Sequence, residues 1–314
     1  MNILDNFNIF EQGDKKETVV TIGNFDGIHI GHKKLITITK KYALDENLKS
    51  VVITFSPHPL EIVKNKSPFF YIFSEEEKDM EIKKENVDYF IKYPFTKDFS
   101  NVSPEDFVNI LIEKLNCKIL VVGEDYCFGK NRTGNVNVLK KICEEKGIKV
   151  IKISNIVIDG ERVSSSIIRE CLNNRNIKKA NLLLNKPYYI FGKVVEGNKL
   201  GRTIGFPTAN IIPPKNKLLP PDGVYITKTK YNNRIYDSIT NIGKNPTVNN
   251  IDRTIETYIF DFNQNLYNQN IKVCFYDWIR GVKKFNGIGE LKGQIAKDIN
   301  IAINFLKLKN NSNF

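Results

Sequence analysis

The chain has little of what would mark a membrane or secreted protein. No apolar run approaches the roughly 18–20 residues needed to cross a bilayer, and hydrophobic residues make up 41% of the total. The start, Met1-Asn2-Ile3-Leu4-Asp5, carries neither a basic segment nor an apolar core of signal-peptide type. The five cysteines (Cys117, Cys127, Cys143, Cys171, Cys274) are odd in number, scattered and without a CxxC pair, which argues against a disulfide framework and a zinc site. The expectation is a cytoplasmic protein with reduced thiols and no membrane association. Histidine is scarcer still, with His29, His32 and His58 the whole complement.

Charge is not scarce. The formal net charge is +12, which raises nucleic acid as a partner. However, the lysines are spread along the chain, and the pairs Lys33-Lys34, Lys83-Lys84 and Lys283-Lys284 are short and far apart. No nucleic-acid partner is therefore expected, and polyphosphate substrates suit the same charge. At 314 residues there is room for two domains.

The first half alternates strands and helices. Apolar, β-branched runs at 18–22, 50–55, 118–123 and 149–153 read as buried strands, with a short strand at 88–92. Helical patterns fall at 31–47, 75–85, 104–115 and 136–146. Continuous apolar runs rather than alternation predict a parallel sheet with helices on both faces. Ligands of such sheets lie at the carboxyl ends of the strands, and the unusual residues sit there. Gly23, Phe25, Asp26, Gly27, His29, Gly31 and His32 follow the first strand, and Pro57-His58-Pro59 follows the second as a stiff loop. A helix start offers free N–H groups and a positive dipole end to phosphate, and imidazoles add donors. The stretch Gly123–Gly134 resembles a P-loop but has the wrong glycine spacing and no Ser or Thr after Lys130. Asp125, Asn131 and Arg132 remain its ligand candidates. Ser164, Ser165 and Ser166 with Arg169 one turn later present hydroxyls and a guanidinium to one anion.

From about residue 186 the pattern turns to short β-prone runs separated by glycine and proline, including 223–231, 234–242, 255–262 and 271–279, with a hairpin turn at Asn232-Asn233. A helical pattern follows over 287–307. An antiparallel barrel with a terminal helix is predicted. Its distinctive segment runs Gly197 to Asn210, where Gly197, Gly201 and Gly205 predict a mobile, phosphate-approaching loop. Thr208 and Asn210 alternate about Ala209, so on a strand they share a face and offer hard oxygen donors to Mg²⁺. Glu256 lies in a strand and is positioned to accept a proton from an alcohol.

These motifs resemble the bacterial bifunctional riboflavin kinase/FAD synthetases: the GNFDGIHIGH stretch (Gly23–His32), the PHP loop and Ser164–Arg169 in the first half, and GxxxGRxxGFPTAN (Gly197–Asn210) in the second. Departures from the family pattern are Tyr126, Ser166 and Asn245. The resemblance implies an FMN adenylyltransferase domain at 1–184, Rossmann-like, and a riboflavin kinase barrel at 185–314. It implies riboflavin, FMN, FAD and ATP as small-molecule partners, with Mg²⁺ as cofactor. Glu256 is then the kinase base, and Thr208 and Asn210 hold Mg²⁺. Gly197, Gly201, Arg202, Gly205 and Pro207 bind nucleotide. His29 and His32 stabilise the transferring phosphoryl, and Ser165, Ser166 and Arg169 hold pyrophosphate. Pro57, His58, Phe128, Asn131, Arg132 and Arg280 are flavin or loop candidates. Self-association is left open.

Overall fold

The computed structural model describes residues 1–7, 16–63, 68–129, 133–197, 200–243 and 253–311. Within it the chain divides into two compact units, residues 1–165 and 166–314.

The first unit contains β1 (Asn2–Leu4), β2 (Thr18–Ile22), α1 (Ile30–Asp45), β3 (Lys49–Ser56), α2 (Pro59–Val63), α3 (Glu75–Lys84) and β4 (Tyr89–Pro94). It continues with α4 (Pro104–Leu115), β5 (Cys117–Gly123), β6 (Cys127–Phe128), β7 (Gly134–Asn135), α5 (Val136–Glu145), β8 (Lys149–Ile153), β9 (Val157–Ile158) and β10 (Glu161–Arg162). Six strands form one sheet in the order β1-β4-β3-β2-β5-β8, and every pairing in it is parallel. Alternate residues of each central strand serve opposite faces, as the pleat requires. Val20, Ile22, Leu120 and Val122 pack with Phe107 and Leu111 of α4 and Leu139 of α5. Val19 and Val121 pack with Ala43 of α1, and Val52 and Phe90 with Ile36 of α1 and Ile82 of α3. The helices start where the sequence supplies caps. Ser103 accepts from the Asp106 amide ahead of Pro104, and Ser74 and Glu77 form a capping box.

The order places β2 at the switch point. The chain leaves β2 through α1 for β3 on one side, and later arrives through α4 at β5 on the other. In sheets of this order ligands bind outside the carboxyl ends of the strands that flank such a point.

The second unit carries α6 (Ser165–Asn173), α7 (Ile177–Leu184), β11 (Tyr189–Val195), α8 (Leu200–Thr203), β12 (Thr208–Ile211), β13 (Gly223–Tyr231), β14 (Arg234–Gly243), β15 (Thr254–Ile259), β16 (Asn270–Arg280) and α9 (Ile288–Asn311). Six antiparallel strands close into a barrel in the order β11-β12-β15-β14-β13-β16. Asn232 and Asn233 take φ of 45° and 61° and join β13 to β14 as the predicted tight hairpin. Inside the barrel Tyr225, Thr227, Thr229, Ser238, Thr240 and Thr257 are fully buried. Their neighbours Val224, Ile226 and Ile239 point outward onto Ala302 and Leu306 of α9.

Two local expectations are corrected. A helix, α2, begins at Pro59, inside the segment read as a stiff loop, because proline's fixed φ suits a first helical position. Within the segment read as a mobile glycine loop, α8 forms a short helical turn. It is closed by bonds from Phe206 N to Gly201 O (2.8 Å) and Gly205 N to Arg202 O (3.3 Å), and Gly205 ends it at φ 87°.

Candidate active sites

At the end of β2, Gly23 N donates to Ile53 O at 3.1 Å and the Thr54 hydroxyl donates to Asn24 O at 2.9 Å. The backbone then turns through left-handed conformations at Phe25 (φ 46°), Gly27 (φ 82°) and Ile28 (φ 43°), which is strained for Phe and Ile. The buried Asp26 carboxylate accepts from Ile72 N at 3.0 Å and Phe73 N at 3.4 Å. The turn delivers His29 as the N-cap of α1, where its Nδ1 accepts from His32 N at 3.3 Å. That bond leaves Nε2 of the neutral ring as the proton-bearing nitrogen. The His29 and His32 rings stack with centroids 3.6 Å apart. Two glycines give the rings room: a Cβ on Gly31 would lie 3.1 Å from the His29 ring, and one on Gly23 would lie 3.2 Å from the Phe25 ring.

Asp125, after β5, pairs with Arg162. The Ser165 hydroxyl donates to Asp26 O at 2.9 Å, so it braces the turn. His58 is buried, accepts from Leu60 N at 3.1 Å and stacks on Phe69 at 4.2 Å. Its own amide donates to the Tyr71 hydroxyl at 3.0 Å. Burial and the hydrogen bond to Glu61 push the Tyr71 phenol well above its ordinary range. Pro57, beside it, is exposed. Phe128 joins the core under α4 and α5 rather than an open surface, because Gly134 leaves the space its ring fills: a Cβ there would lie 2.6 Å away. Asn131 and Arg132 lie outside the described residues, as does Asn245. Ser166 and Arg169 fall, by packing, in the second unit.

In the second unit a cavity of about 400 Å³ is lined by Gly197, Arg202, Pro207, Thr208 and Asn210, with Thr257 at its wall. Gly201 is tied to this arrangement by space, since a Cβ would meet Phe206 O at 2.4 Å; one on Gly197 would meet the Asn210 amide at 2.4 Å. Strand register places Asn210 opposite Glu256, and Glu256 opposite Asn241. These three side chains therefore form one row across β12, β15 and β14. Continuing the row, Asn241 faces Val224 and Val224 faces Arg280. Burial raises the Glu256 carboxyl above its ordinary pKa, which suits a base that collects a proton. Arg280 is engaged by Asp298 of α9, with Nη2 2.8 Å from the carboxylate. Among the described residues no cluster of three or more His, Cys, Asp or Glu offers a metal cage. The Thr208 and Asn210 oxygens on one strand face are a sparse set that fits Mg²⁺ shared with phosphates and water.

Asn241, which shares the row with Glu256, is not among the site candidates that the sequence offers.

A doubly wound sheet with imidazoles at its switch point, followed by a closed barrel with a cavity along its glycine-rich segment, is a two-module arrangement suited to phosphoryl transfer. Comparison with known proteins narrows the class. Residues 11–167 match the FAD synthetase family and residues 184–306 the riboflavin kinase family. The chain is 40% identical over 298 residues to the bifunctional riboflavin kinase/FMN adenylyltransferase of Buchnera aphidicola subsp. Acyrthosiphon pisum, covering 94% of this chain and 95% of that one. Identity to the Bacillus subtilis protein of the same name is 36%, covering 93% of each chain. For the Escherichia coli K12 protein it is 33%, covering 95% of this chain and 96% of that one. A solved Streptococcus pneumoniae structure, titled a macrolide-efflux protein, superposes with a TM-score of 0.87 at 32% identity, covering 96% and 98% of the two chains. The chain belongs to the bifunctional riboflavin kinase/FMN adenylyltransferase family.

Proposed function

We propose that the protein converts riboflavin to FAD in two ATP-dependent steps, in the cytoplasm. In the barrel, the terminal ribityl hydroxyl attacks the γ-phosphate of ATP, giving FMN and ADP. Glu256 takes the hydroxyl proton, and the cavity residues from Gly197 to Asn210 hold the phosphates. Thr208 and Asn210 would hold Mg²⁺, which neutralises phosphate charge when bound. In the parallel-sheet unit, the FMN phosphate attacks the α-phosphate of a second ATP, giving FAD and pyrophosphate. A phosphate monoester is already ionised at neutral pH, so this step needs donors rather than a base. His29 and His32 supply them where α1 begins. The sequence pattern alone carries the assignment of Ser166 and Arg169 to the leaving pyrophosphate.

The observation supporting this reading is that each family match falls on a unit with its own phosphate-handling arrangement. The efflux title of the pneumococcal structure finds no counterpart here: among the described residues no helix is long and apolar enough to cross a membrane.

Product analysis tests the proposal. With riboflavin, ATP and Mg²⁺, both FMN and FAD should appear. Asn210→Ala should lower FMN formation by ~10²-fold or more while leaving FAD formation from supplied FMN intact, and His29→Ala should do the reverse. Loss of both activities in either variant would sink the separation of sites.

A further inference from the structure

Helix α3 is rich in charge, yet it buries Glu77, Lys78, Glu81 and Ile82. Glu77 serves the capping box and Glu81 pairs with Lys84. Lys78 serves neither. It is 4% exposed, and its Nζ lies 3.3 Å from Asn24 O and 3.5 Å from the Thr54 hydroxyl. Burial lowers its pKa, and the nearby Asp26, then Glu75 and Asp79, pull it back up. Desolvating an ammonium is costly, and a methionine of similar length would pack there without that cost. What the amino group holds must therefore account for its burial.

It holds the strained turn. Lys78 donates into Asn24 on one side of the left-handed Phe25, and the segment entering α3 donates Ile72 N and Phe73 N into Asp26 on the other. Left-handed backbone at a bulky residue persists only where its surroundings over-determine it. The product of that turn is the N-capping His29 with His32 stacked on it.

We propose that Lys78 is a positioning residue for adenylyl transfer: its amino group fixes the Asn24 carbonyl and, through the Asn24–Ile28 turn, sets where His29 and His32 present their ring nitrogens. This rests on the reading of those histidines as donors to the transferring phosphoryl.

The test uses full-length Lys78→Met, His29→Ala and the double variant. FAD formation is measured from supplied FMN and ATP, and FMN formation from riboflavin. Lys78→Met should lower kcat for FAD by about 10-fold or more. KM for ATP should stay within about threefold, and FMN formation should be unchanged. The double variant should be no slower than His29→Ala alone, because Lys78 acts through the histidines. Amide exchange over residues 24–32 should quicken in Lys78→Met while that of 18–22 holds. Wild-type kcat in Lys78→Met beside a crippled His29→Ala would overturn the positioning role and leave the histidine reading standing. Full activity in His29→Ala would remove both. Multiplicative losses in the double variant would show Lys78 acting separately and would also overturn the proposal. If Lys78→Met exposes 18–22 to exchange, Lys78→Gln, which keeps an N–H donor without charge, is judged by the same criteria.

Discussion

Glu256 has two opposed properties at once. Its environment favours the neutral acid, since burial raises its pKa, yet its proposed role needs the carboxylate. The sign of the linkage follows. A folded pKa above the unfolded one means the folded state binds the proton more tightly, so the stabilising contribution is complete below the unfolded value and is lost as pH rises through the folded one. Activity runs the other way, with FMN formation falling as pH drops through that raised value. Glu256→Gln should therefore melt higher than wild type at pH 8, with the gap closing in acid, while FMN formation falls by ~10²-fold or more. FAD formation from FMN should be untouched. A variant that is no more stable at pH 8, or that keeps its kinase rate, would remove Glu256 from the role of buried base. Residue-scale reading of the sequence singles out this glutamate within a strand and the two histidines just after one. It assigned ligands to Phe128 and the Ser165 hydroxyl, which tertiary partners occupy: Gly134 makes room for the ring in the core, and the Asp26 carbonyl takes the hydroxyl. Such pairings, across 139 residues in the second case, leave no local trace.

At the scale of elements, period was a good guide and order was not. The strands of both units fell where apolar or alternating runs predicted, and the Asn232-Asn233 turn was read directly. The order β1-β4-β3-β2-β5-β8, the edge strand β1 and the closure of β16 on β11 depend on long-range pairing that no window of sequence contains. The barrel interior shows the difference. Threonines at 227, 229, 240 and 257 read as β-branched strand residues, but together with Ser238 they form one buried chain of hydroxyls. Thr240 Oγ1 lies 2.9 Å from both Thr227 and Thr257, and Ser238 Oγ lies 2.8 Å from Thr227 and 3.0 Å from Thr229. Each hydroxyl there is satisfied by its neighbours, so removing Thr240 takes from Thr257 its bond in the chain and from Thr227 one of two. Thr240→Val, nearly isosteric, should destabilise the barrel by about 1–3 kcal/mol in denaturant melts. A neutral substitution would mean that the chain of hydroxyls contributes no more than packing.

At the scale of the whole molecule the question is where one unit ends. Composition changes at about residue 185, where β-prone runs begin, and the riboflavin kinase match starts at 184. Packing divides the chain earlier, after Ser165. The sequence leaves this open because an amphipathic helix shows that it has a buried face but not which neighbour covers it. Helix α7 buries Ile177, Ala180, Leu183 and Leu184. Its Asn181 donates to Phe275 O of β16 at 2.8 Å and accepts from Tyr188 N at 2.6 Å. Lys178 meets Asp277 at 2.8 Å, and Arg175, just before the helix, lies over the Trp278 ring at 5.6 Å. A barrel cut at 185 loses these contacts, including the two hydrogen bonds that Asn181 makes to the Phe275 carbonyl and the Tyr188 amide. The four buried side chains of α7 that leave with it contribute at most roughly 1.5–3 kcal/mol each, and a net loss near 3 kcal/mol corresponds to about 10 °C or more in a domain of this size. Residues 166–314, produced alone, should therefore phosphorylate riboflavin and melt at least that far above residues 185–314. Equal melting temperatures would place α6 and α7 outside the folding unit of the kinase and return the boundary to the change in composition.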